Sequence, residues 1–118
     1  MGHKMRAPFL ILYYNGGMKE GDYMKSYLVE NIEKIMENEE RGFISNEAAS
    51  KIEEFLNLKG LNVDQLRGKR NDVVMIMSGF MKLLDEEKDL HRIYKLSDSL
   101  SAVTAVIDNK IFRLGGEV

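Results

Sequence analysis

Ile93, Leu96, Leu100, Val103, Ile107, Ile111 and Leu114 recur at steps of three and four residues. At 3.6 residues per turn, that spacing aligns seven apolar side chains on one face of a helix about six turns long. Such a face has to be covered, by the rest of the chain or by a second copy of it. The spacing therefore predicts helices packed on helices. One alternative stands beside it. Val103–Ile107 and Lys110–Leu114, flanking Asp108-Asn109, also fit a β-hairpin, which would make the chain α+β. The three-four spacing runs unbroken through that turn and favours the helix.

Other segments carry the same period, divided by glycines at Gly16-Gly17, Gly42, Gly60 and Gly115-Gly116. Pro8 to Tyr14 is apolar throughout, and Pro8 suits a first helical turn, so a short helix is expected there over a buried strand. Asp22 to Glu40 reads as a helix with Met24, Tyr27, Leu28, Ile32, Ile35 and Met36 inward. Ser45 is a suitable N-cap for a third helix, which buries Ala48, Ala49, Ile52, Phe55 and Leu56 and closes at Gly60. Asn62 with Gln65 has capping-box spacing. The helix it opens is expected to break at Arg67-Gly68-Lys69-Arg70-Asn71 and to resume at Asp72, burying Val73, Ile76, Met77, Phe80, Leu83 and Leu84. Asp85 to Asp89 marks an exposed turn before the last helix.

At 118 residues the chain is expected to form one domain, with residues 1–5 a frayed or vector-derived end. A net charge of −2 argues against a dedicated nucleic-acid binder, although a local basic patch remains compatible with it. The absence of cysteine removes disulfides, thiolate metal sites and cysteine nucleophiles. The longest apolar run, Ala7 to Tyr14, is far short of the roughly 20 residues of a membrane span and lacks the flanks of a signal sequence. The cytoplasm is the expected compartment, with no membrane contact.

Arg67, Lys69 and Arg70, with Lys59 nearby, form the one basic cluster that could hold an anion or a nucleic-acid backbone. The plainer reading, which weighs more, is a solvated loop balanced by Asp64 and Asp72. It is not a Walker A loop, which needs two spaced glycines and Lys-Ser/Thr after the second. Glu37, Glu39 and Glu40 with Glu53 and Glu54 could present carboxylates to magnesium, but no Glu-Glu-x-x-Glu block occurs and a solvated face accounts for them better. His91 has no partner histidine at metal-ligand spacing, and Ser97, Ser99, Ser101 and Thr104 have no adjacent base. No catalytic residue, metal or cofactor is expected. Met75, Met77 and Met81 beside Phe80 lie on more than one side of their helix, and soft methionine side chains suit a surface that adapts to a partner. Ile111, Phe112 and Leu114 extend beyond what the other helices are expected to cover, which points to a homodimer.

The N-terminal third also has the element order of a winged helix, with helices at Asp22–Val29 and Asn31–Glu40. The second of these carries Glu33, Glu37, Glu39 and Glu40 against Lys34, the wrong sign for a phosphate backbone. The expectation is an all-α, compact bundle of four to five helices with short glycine-containing loops. It is expected to be a non-enzymatic interaction or regulatory module that presents an apolar helical surface to protein partners, its own copy included. The alternative is a nucleic-acid-associated protein using Lys59, Arg67, Lys69 and Arg70, as a bundle or a degenerate winged helix.

Overall fold

The computed structural model describes residues 20–40 and 42–117, with the side chains described from residue 26 onward. Four helices follow one another: α1 (Glu20–Met36), α2 (Asn46–Phe55), α3 (Val63–Met81) and α4 (Leu90–Arg113). No strand occurs among the described residues, and no helix among them is long and apolar enough to cross a membrane. The helix expected at Pro8–Tyr14 lies outside the described residues.

α4 is the spine of the fold, and the hairpin alternative for 103–114 is overturned. Leu96, Val103, Ile107 and Ile111 are fully buried, and Ser99 and Val106 widen the buried face. Ile93 and Leu100 are half-buried, while Leu114 is 56% exposed, so the stripe ends at Ile111. The end is a Schellman turn: Gly115 N–H donates to the Phe112 carbonyl and Gly116 N–H to that of Ile111. Gly115 takes φ +86°, which an L side chain resists. A Cβ on Gly116 would sit 2.8 Å from Ile111 Cγ2 and 2.9 Å from Val63 Cγ1. The tail of α4 thus folds against the first turn of α3.

α3 does not break at 67–71, contrary to the expectation from Gly68. Its capping box forms, with Gln65 N–H donating to Asn62 Oδ1 at 2.8 Å and Asn62 N–H to Gln65 Oε1 at 3.0 Å. A glycine inside a helix costs about 1 kcal/mol relative to alanine. Burial of Leu66 before it and Val73 and Met77 after it outweighs that cost. The helix ends at Met81; Leu83 is exposed and Leu84 packs at the margin of the core.

α1 is one continuous helix, so the two-helix element order of a winged helix is absent. It ends at Met36, four residues short of the expected Glu40, because Glu39 turns away to serve the next helix. The Glu39 carboxylate accepts the Ser45 N–H at 2.7 Å and the Ser45 hydroxyl at 3.0 Å. Ser45 Oγ in turn accepts the Ala48 N–H and caps α2. Inward on α1 are Val29 and Ile32, fully buried, with Leu28, Ile35 and Met36 around them. α2 closes at Asn57, ahead of Gly60: Asn57 takes φ +57°, and the Leu58 N–H reaches back to the Glu53 carbonyl. That turn drives Leu58 into the core, at 0% exposure.

α3 and α4 run antiparallel and pack most extensively. α1 lies against both, and α2 is held to α1 and α4. One core joins them, with Ile32, Ile52, Leu58, Leu66, Met77 and Ile107 fully buried.

Candidate functional site

Among the described residues, an open cleft of about 880 Å³ lies between the C-terminal half of α1, the 37–44 connection and α4 from His91 to Ala105. Small residues on α4 make the room. Ser99, Ser101, Ala102 and Ala105 stand where longer side chains would reach across to α1. Met36 and Ile44 add apolar lining, and the rings of Phe43 and Tyr94, 58% and 52% exposed, stand at its edge.

Acid dominates the polar lining. Glu30, Glu33, Glu37, Glu39, Glu40 and Asp98 line the cleft against Lys34, Lys95 and His91. Some of these carboxylates have structural duties: Glu33 grips Arg92, Glu39 holds Ser45, and Glu30 accepts the Ser26 hydroxyl at 3.1 Å. Glu37 and Glu40 are exposed at the end of α1, where the helix dipole already adds negative potential. Among the described residues, no group of three His, Cys, Asp or Glu is arranged to hold a metal ion. The cleft therefore offers apolar contact inside an anionic surround.

Glu33, in the lining of the cleft, is held from α4 by Arg92. Its Nε and Nη2 donate to the two Glu33 carboxylate oxygens, both at 2.9 Å. Its guanidinium carbon lies 5.1 Å from the centre of the Phe80 ring. The hydrogen bond to Glu33 raises the Arg92 pKa further, against a smaller opposing effect of burial. The fixed cation joins α1, α3 and α4 at a single point.

The basic cluster is placed differently from expectation. With α3 continuous, Leu66, Arg70, Val73 and Met77 fall on one face, so Arg70 sits within the buried stripe. Its Nε donates to Asp108 Oδ1 of α4 at 2.6 Å and its Nη2 to Oδ2 at 3.3 Å. Arg67 donates to the Glu117 carbonyl at 2.7 Å and lies 3.9 Å from Asp64. Lys69 is half-buried on α3, and Lys59 is exposed in the α2–α3 connection. Two of the four cations thus serve acceptors within the chain. The shallow pocket beside them, about 260 Å³, contains Asp108 as well as Arg67 and Arg70.

The expected apolar interaction surface also divides. Met77 and Ile111 are core residues, at 0% and 1% exposure, and are corrected from surface to interior. The cover missing for Ile111 in the sequence reading is supplied by Val63 and the Gly116 turn. Phe80 and Met81 pack against the margin of the core. Met75, Phe112 and Leu114 remain exposed. Sequence reasoning missed the cleft itself. The available signal was the run of small residues at 99, 101, 102 and 105 on the amphipathic α4, together with the acids at 37–40. Comparison of the chain with protein-family models, with curated proteins and with solved structures found no match.

Proposed function

We propose that this chain is a small non-catalytic interaction module of the cytoplasm, and that it binds a basic, amphipathic segment of a protein partner in the cleft between α1 and α4. The observation that carries this reading is the pairing of apolar lining with an acidic surround in one open groove. An amphipathic helix laid in such a groove places its apolar face inward and its lysines or arginines against the acids. The nucleic-acid alternative has less support, because Arg67 and Arg70 are engaged with Glu117 and Asp108.

A fluorescent Leu/Lys amphipathic peptide is expected to bind the full chain in an anisotropy titration, while its Leu/Glu counterpart does not. Binding is expected to weaken about tenfold or more when Glu37 and Glu40 are both changed to Lys, and to weaken with added salt. Equal binding of both peptides, or no effect of the charge change, would overturn the reading.

Self-association is part of the same proposal, supported by Phe112 and Leu114, which stand 71% and 56% exposed. Sedimentation at tens of micromolar is expected to show a dimer, since one with Kd about 1 μM would be mostly assembled there. Phe112→Ser with Leu114→Ser is expected to return it to monomer. A parent chain that sediments as a monomer refutes the dimer. Ile111→Ser cannot serve as this test, because it would disrupt the core.

A further inference from the structure

We infer that the cleft takes the end of α4 from a second copy of the chain: two α4 helices cross antiparallel at Ala105, so that Phe112, Arg113 and Leu114 of each copy enter the α1–α4 cleft of the other. The inference rests on the cleft chemistry of the proposed function and adds a regulation to it. A dimer closed in this way and a bound partner segment occupy the same groove, so each excludes the other.

Three observations carry it. The first is helical register. His91, Asp98 and Ala105 line the cleft, and Phe112 follows them at the same seven-residue step, close to two helical turns. Phe112 thus continues the cleft face of α4 past the cleft itself, and stands 71% exposed. The second is complementarity. The exposed apolar side chains of Phe112 and Leu114 flank an exposed cation, Arg113, while the neighbouring Lys110 is held by Glu53 at 3.5 Å. The cleft presents the converse, with Phe43 and Tyr94 more than half exposed and Glu37 and Glu40 exposed beside them. The third is the spacing about a two-fold axis. With Ala105 at the crossing, Phe112 lies seven residues, about 10 Å, from the axis and level with Asp98 of the second copy. Glu33 meets Arg92 and Glu53 meets Lys110, so the chain from α1 into α2 travels in the same direction as α4. Glu37 and Glu40 therefore stand beside the turns around Asp98, where Arg113 of the second copy arrives. At the crossing, Ser101 and Ala105 are small and exposed, which lets the two helices approach closely.

Charge reversal separates this dimer from any other pairing. Glu37→Lys with Glu40→Lys alters the cleft, and Arg113→Glu alters the end of α4. All three side chains are exposed, and circular dichroism checks that both full-length variants stay folded. In sedimentation at tens of micromolar, each variant alone is expected to dimerise at least about tenfold more weakly than the parent chain. An equimolar mixture of the two is expected to recover the dimer. One contact then pairs the parent arginine with the parent acids, and the other pairs the introduced glutamate with the introduced lysines. A monomeric parent chain overturns the inference. A cleft variant that dimerises as the parent does also overturns it, because the dimer then forms elsewhere, as does a mixture that stays monomeric. Excess Leu/Lys peptide is expected to dissociate the parent dimer. Peptide that binds and leaves the dimer intact removes this inference alone, and the proposed function stands. Recovery in the mixture without any peptide binding supports this inference and removes the partner reading instead.

Discussion

Ile107→Ala is expected to lower the unfolding free energy by about 2–5 kcal/mol, the range for truncating a fully buried aliphatic side chain. Ile107 is 0% exposed at the middle of the α4 face, between Val103 and Ile111 and within the single core. The cost has two parts, the transfer free energy of the lost methyl and methylene groups and the unfilled space that α2 and α3 cannot close. Leu100→Ala is expected to cost less, about 1–3 kcal/mol, because Leu100 is only partly covered at the margin of the same face. Phe112→Ala, one residue beyond Ile111 but 71% exposed, should change the stability of the monomer, measured at concentrations low enough to dissociate the proposed dimer, by no more than about 0.5 kcal/mol. Urea unfolding with an unchanged m-value checks the series. A loss below about 0.5 kcal/mol at Ile107 would show that the face is not the core.

Arg70→Glu is expected to destabilise the fold by about 1–3 kcal/mol, between the small worth of exposed ion pairs and the larger cost of breaking buried ones. The pair it breaks is partly covered, with 37% of the Arg70 side chain and 21% of the Asp108 side chain exposed. The change sets two carboxylates against each other between Leu66 and Val73. Arg67→Glu and Lys69→Glu lack such a partner on the buried face and should each stay within about 0.5–1 kcal/mol. Combining Arg70→Glu with Asp108→Arg should recover part of the loss, and this double-mutant cycle isolates the pair. Equal, small effects at all three positions would make the cluster an ordinary solvated patch.

The contrast between these residues shows what the chain reveals before it folds. Local signals were legible: Ser45 caps α2, Asn62 and Gln65 close their box, and the α4 period marks Leu96, Val103, Ile107 and Ile111 as interior. Each depends on neighbours within a turn or two, where sequence distance and spatial distance agree. Gly68 misled because its intrinsic cost is real but small, and packing at Leu66 and Val73 decides the outcome. The role of Arg70 depended on that same decision. Once α3 is continuous, the period carries Arg70 onto the inner face, and its partner Asp108 lies 38 positions away. The cleft was hidden for a similar reason, since it arises only when Glu37–Glu40 and the small residues of α4 meet. Asn57, in place of Gly60, ended α2 because asparagine tolerates the left-handed conformation nearly as glycine does.

The seal between Gly116 and Val63 bears on how the molecule is assembled. Arg67 and Glu117 lie 50 positions apart, a separation that would be entropically costly to close in an open chain. Within the α3–α4 hairpin it is closed in small steps. The turn held by Asp85 joins the end of α3 at Met81 to the start of α4 at Leu90, and each further pair of turns then meets across a gap already bridged by the last. Arg70 with Asp108 is one rung of that ladder, and Gly116 with Val63 is its final rung. The hairpin is therefore the part of the chain that loses least entropy before its contacts repay it, and it provides the apolar surface on which α1 and α2 can settle.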